Sequence, residues 1–192
     1  MRRVTLLIPD SSPLISLAIG NSLDLLLKLD IPIRLVDVVY WETVLNHEKP
    51  GAAEIEKFIG ANPKAIEVVE TTVGNLLKDR RMREPDFRWK NLGEAAISEF
   101  LADLDDHLPD NNPVLVLFDD LKAQKKQIYL HGRAHLLTTM SLLDGMEKMG
   151  LIPSAQEIVD RIRDAGREIS LHRLDIEAPS SSGGSYWKPD FH

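Results

Sequence analysis

The 192-residue chain has no cysteine. That excludes disulfides, thiolate metal sites and a cysteine nucleophile, and it fits a reducing, cytoplasmic setting. No apolar run approaches the roughly 20 residues that a membrane span requires. The stretch after Met1-Arg2-Arg3 ends at Pro9-Asp10, short of a secretory signal core. Positive charge is not in excess: 23 Lys and Arg against 30 Asp and Glu leave a net charge of −7 and a pI near 5.4. Coating of nucleic acid through bulk charge is thereby excluded, so any such contact needs a local basic surface. There is no P-loop, GxGxxG or GxSxG motif and no internal repeat. What remains is 43% hydrophobic and 28% charged, an ordinary composition for a soluble domain with a sizeable core.

Short apolar runs alternate with helical patterns. Val4–Ile8, Ile31–Val36, Ala65–Val69 and Val114–Phe118 read as strands, and the last, a continuous apolar run, implies burial on both faces of a parallel sheet. Leu14 to Leu29 reads as a helix pair interrupted near Gly20-Asn21. Further helices are expected after Asp37, over 51–60, from Leu92 to about Leu104, and at roughly 120–130, 139–149 and 154–165. A closing strand is expected over 168–174. The pattern predicts an α/β fold with a mainly parallel central sheet, one domain over residues 1–177 and a disordered tail over 178–192.

In such sheets, ligands bind beyond the carboxyl ends of the strands. Four acidic positions fall there: Asp10, two residues past Ile8; Glu42, early in the helix after the second strand; Glu94, near the start of its helix; and Asp119, directly after Phe118, with Asp120 beside it. Carboxylates gathered at one rim repel one another unless a cation lies between them. An all-oxygen donor set suits Mg²⁺ or Mn²⁺, which can activate water against a phosphodiester. Each acid has a structural reading too. Glu42 and Glu94 suit helix N-termini, Asp10 an Asx turn, and Asp119-Asp120 a helix cap.

The segments that carry these acids also resemble a known family. Asp10-Ser11-Ser12-Pro13-Leu14-Ile15-Ser16-Leu17 resembles the opening motif of PIN-domain nucleases, in the toxin-like branch that begins D-[AS]-S-P-L-I. Val38 to Leu45 resembles the second motif, Gly93-Glu94-Ala95 the third, and Val114 to Ala123 the fourth. The resemblance implies a three-layer α/β/α sandwich and metal-dependent endoribonuclease activity with Mg²⁺ or Mn²⁺. It carries Asp10, Glu42, Glu94 and Asp119 as catalytic residues, with Asp10, Glu94, Asp119 and Asp120 as metal ligands. Ser12 would orient the first carboxylate through a hydrogen bond. It also implies an RNA substrate, a homodimer and, for many members, a small antitoxin protein as partner. Two positions depart from the family pattern: Ala96 stands where a second acidic residue is common, and Gln124 where an Arg is common.

Residues 78–90 (KDRRMREPDFRWK) show no helical periodicity, contain Pro85 and read as a loop. Cations interleaved with Phe87 and Trp89 are the chemistry that single-stranded RNA requires. Arg80, Arg81, Arg83, Arg88 and Trp89 are therefore candidates for RNA binding, with Lys122 beside the fourth motif; the alternative is a solvated loop. Thr138, Thr139 and Ser141 follow an expected fifth strand and are placed at the same rim, with Thr138 as a supporting residue. His131 and His135 have the i, i+4 spacing of a metal pair if helical, but no HExxH accompanies them. A competing function is a PIN-like module that binds RNA or a protein without cutting. A haloacid-dehalogenase site is excluded by Ser12, where that chemistry needs Asp, and a response-regulator site by an acidic pair too far downstream.

Overall fold

Strand β1 (Leu6–Pro9) is flanked on one side by β2 (Ile33–Val36) and on the other by β4 (Val114–Leu117). With β3 (Ile66–Val69) and β5 (Ala134–Leu137) they form a parallel sheet in the order β3-β2-β1-β4-β5. The computed structural model describes residues 4–45, 47–87, 90–108, 111–119 and 131–170. Every residue of β1 and β4 is buried, as expected for strands covered on both faces. The edge strand β3 instead exposes Glu67, which pairs with Arg34 across the register at 2.8 Å.

Helices cover the sheet: α1 (Ser11–Ile19), α2 (Asp37–Val44), α3 (Ala52–Ala61), α4 (Thr72–Arg83), α5 (Leu92–Ala102), the single turn α6 (Leu104–His107), α7 (Thr139–Lys148) and α8 (Ala155–Asp164). The result is the three-layer α/β/α sandwich. The interruption expected at Gly20-Asn21 separates α1 from a 3₁₀ segment, Leu23–Leu29. α8 shows the sequence logic most plainly. Ser154 accepts a hydrogen bond from the Glu157 N–H, and Ala155, Ile158, Val159 and Ile162 form a buried stripe at i, i+3, i+4, i+7 spacing. Among the described residues, no single helix is long and apolar enough to cross a membrane.

Two sequence expectations need correction. The loop expected over 78–90 is helical as far as Arg83. α4 touches the body along a narrow strip, with only Gly74 and Leu77 buried, so its sequence carries too few apolar positions to show a period. Its start is held instead by hydrogen bonds. Thr71 Oγ1 accepts from the Gly74 N–H at 2.9 Å, and the Glu99 carboxylate of α5 accepts from Thr72 N–H (2.6 Å) and Val73 N–H (2.9 Å). Arg80, Arg81 and Arg83 lie in the last turn, where they complement the helix dipole, and Pro85 follows. The closing strand expected over 168–174 is not formed at residues 168–170, which carry no regular structure. Residues 171–174, the expected tail over 178–192, the helix expected over 120–130, and Arg88, Trp89, Asp120 and Lys122 lie outside the described residues.

Candidate active site

The strand order places the switch point between β1 and β4: chain connections leave β1 toward β2 and β3, then return to β4. Asp10 follows β1 and Asp119 lies two residues past β4. The Asp10 N–H donates to Leu117 O at 2.9 Å, so the two strand ends are joined directly at this crevice.

Three of the four acids converge. Asp10 is buried, only 5% exposed, and its carboxyl is pushed up to about 7. Burial is the main cause; Glu94 and Glu42 add to it, and the N–H groups of Ser11 and Ser12 oppose it. Glu42 on α2 is also raised, first by burial and then by Glu94. The Ser11 hydroxyl, Lys49 and the Gly93 N–H draw it partly back. Gly93 explains how these side chains come so close. A Cβ at that position would lie 3.0 Å from Glu42 Oε2 and 3.5 Å from Asp10 Oδ1. The glycine at the start of α5 thus leaves both carboxylates room and offers Glu42 one of the N–H groups that a helix start leaves unpaired.

Asp119 has partners of its own. Its Oδ1 accepts from the Thr139 N–H and its Oδ2 from the Thr139 hydroxyl, both at 2.7 Å. Burial raises its carboxyl, while Thr139 and Arg167 pull in the other direction. Arg167, just beyond α8, donates from Nε to Ser16 Oγ (2.9 Å) and from Nη2 to Ser12 O (3.2 Å) and Ser12 Oγ (3.0 Å). The two expected supports have partners of their own. The Ser12 hydroxyl serves Arg167, and Asp10 is oriented by the backbone N–H groups of Ser11 and Ser12. Thr138, fully buried, caps α7 by accepting from the Ser141 N–H (3.0 Å), and its neighbour Thr139 touches Asp119.

The donor chemistry of Asp10, Glu42 and Glu94 fits a hard divalent ion. Among the described residues, no three Asp, Glu or His side chains are placed to hold a metal ion as they stand. Glu42 and Glu94 are only half-buried, and their long side chains can close on an ion by changing rotamer. His135 lies in β5 and burial lowers its pKa; His131 meets Asp105 at 3.4 Å, so the two are not a helical metal pair.

Beside the acids, a cavity of about 580 Å³ opens between α2 and α4. Ser11 and Glu42 border it on the acidic side and Arg81 on the other. Arg80 is engaged by Glu84 at 2.9 Å and lies over the Phe87 ring. Arg83 ends α4, exposed. No protein-family model, curated protein or solved structure matches the chain. Ser11 and Arg167 join the site without any signal in the sequence that would have placed them there. Thr139, two residues past β5, lies at the rim where the sequence places it.

Proposed function

We propose that this protein is a metal-dependent endoribonuclease that hydrolyses RNA phosphodiester bonds. One observation carries the reading. Asp10, Glu42 and Glu94 meet at the switch point of a parallel sheet, and Asp10 is held near neutrality by burial and by its two acidic neighbours. Such a cluster is destabilised by its own ionisation, and a cation relieves it. Asp10 and Glu94 would hold Mg²⁺ or Mn²⁺, with Asp119 on the adjoining strand end. A bound ion supplies Lewis acidity at the phosphate and a lowered pKa for water.

The protein's own groups supply the rest. Burial raises the proton affinity of Glu42, which suits it to take the proton of the attacking water. As water adds to phosphorus, the bond to the leaving ribose oxygen breaks. Lys49, beside Glu42, and Arg81 offer positive charge to the flanking phosphates. The same reading carries a homodimer and a small antitoxin protein as partners, the latter tested by co-purification with the product of an adjacent open reading frame. The deciding experiment measures cleavage of a labelled single-stranded RNA in Mn²⁺. Asp10→Asn is expected to abolish it while remaining folded, and equal cleavage by the two proteins would falsify the assignment.

A second reading, a PIN-like module that binds without cutting, is favoured by the Asp119 environment. Thr139 holds both oxygens of that carboxylate and Arg167 stands beside it, leaving less need for a metal there. Calorimetric titration with Mn²⁺ separates the two: the module predicts no binding, the nuclease a saturable site.

A further inference from the structure

The cavity next to the acids has walls that acid chemistry does not require. On α2, Val38, Trp41, Glu42 and Leu45 share one face at i, i+3, i+4, i+7 spacing, and all four line the space. α4 contributes Leu77 and Arg81 opposite, and the turn after α4 adds Phe87. Trp41 is half-buried, with Lys78 Nζ 4.9 Å from its ring centroid. It also lines an adjoining hollow of about 550 Å³, together with the exposed Leu45 and Met82. Lys49 borders the cavity, its Nζ 3.1 Å from Glu42 O. An aromatic plane and two cations thus line the same cavity of about 580 Å³ as Glu42.

We infer that this cavity is a nucleobase subsite, in which an unpaired base of a single RNA strand stacks on Trp41 while Lys49 and Arg81 meet the phosphates on either side. The volume lies in the usual range for small-ligand sites, roughly 300–1,000 Å³. A duplex cannot present a base face to a recessed ring, so the subsite selects unpaired RNA. Glu42 sits on both the cavity wall and the acidic cluster, so a base held there places a neighbouring phosphodiester at the carboxylates. The inference deepens the nuclease reading and rests on it for the place of cleavage, whereas the stacking itself does not depend on cutting.

The test is fluorescence anisotropy with short labelled single-stranded RNA and an otherwise identical abasic strand, in EDTA so that no cleavage occurs. Trp41→Ala is expected to weaken binding about ten-fold or more, in line with roughly 1–3 kcal/mol for one stacked base. Trp41→Phe should keep most of the affinity, and the abasic strand should bind both the wild type and Trp41→Ala as weakly as Trp41→Ala binds intact RNA. Lys49→Gln and Arg81→Gln, which leave the ring in place, should each lower the salt dependence of binding by about one phosphate contact. Thermal melting of each variant confirms that folding is retained. Equal affinity of wild type for intact and abasic strands, or unchanged binding by Trp41→Ala, overturns the subsite. So does capture of a protein at this groove with no RNA binding at all. If RNA is cut in Mn²⁺ but Trp41 has no effect, the subsite fails and the nuclease stands. If Trp41 governs binding and nothing is cut, the subsite stands and the nuclease fails.

Discussion

Asp10 shows how one carboxyl can join stability to function. Its pKa rises on folding from an ordinary 3.8 to about 7. Between those values the folded protein binds more protons than the unfolded chain, so stability is full below about pH 4 and falls as pH rises through 7. The raised carboxyls of Glu42 and Asp119 act in the same direction. Asp10→Asn removes the ionisation while keeping a carbonyl oxygen for the Ser11 and Ser12 N–H groups. In chelator, the variant is therefore expected to melt above the wild type at about pH 8, by up to about 4 kcal/mol, and the gap should close toward about pH 4. Mn²⁺ should raise the wild-type melting temperature at about pH 8 and leave Asp10→Asn unmoved. Gly93 yields a prediction of a different kind. Alanine gains about 1 kcal/mol of helix propensity there, but its Cβ crowds Glu42 Oε2 at 3.0 Å. Gly93→Ala should leave stability within about 1 kcal/mol of wild type and cut RNA cleavage at least ten-fold; undiminished cleavage rates would show that Glu42 does not need its observed position.

α2 and α4 together make the groove, and their junction rests on a buried carboxylate. Asp37, only 2% exposed, accepts from Val38 N–H (2.9 Å) and Thr71 Oγ1 (2.8 Å) through Oδ1. Its Oδ2 has no hydrogen-bond partner among the described residues. A Cβ on Gly74 would fall onto this carboxylate, so α4 can approach α2 only because residue 74 has no side chain. Gly74→Ala should push the helices apart and cost about 3 kcal/mol or more, read by chemical denaturation. Helix α4 was also the element least legible beforehand. Its stability comes from Thr71, from Glu99 on the neighbouring α5 and from a two-residue buried strip, and none of these produces hydrophobic periodicity. α8 was legible for the opposite reason: its whole inner face is apolar at helical spacing, with a serine cap in front.

Across the molecule, Arg167 ties the chain beyond α8 to α1 through Ser12 and Ser16 and lends Asp119 a positive neighbour. Arg167→Ala should lower stability by about 1–3 kcal/mol. It should also tighten Mn²⁺ binding measured by titration, since Asp119 loses its internal cation; weaker binding would mean that Arg167 helps to build the ion site. The net charge of −7 describes the whole surface, while the groove beside the acids carries Lys49 and Arg81. Local sequence was sufficient for an α/β fold with a mainly parallel sheet, because continuous apolar runs and capped amphipathic stretches leave few other ways to bury them, whereas the three-layer sandwich came from the family resemblance. It was sufficient, too, for placing Asp10, Glu42, Glu94 and Asp119 at one rim, since each follows a strand or begins a helix. Which acids meet was settled by packing. Gly93 admits Glu42 to Asp10, whereas Asp119 is engaged by Thr139 and neighboured by Arg167, 20 and 48 residues beyond it. The groove around Trp41 arose in the same way, from two helices far apart in the chain. Side-chain proximity across such separations depends on the folded backbone, and no local pattern of residues encodes it.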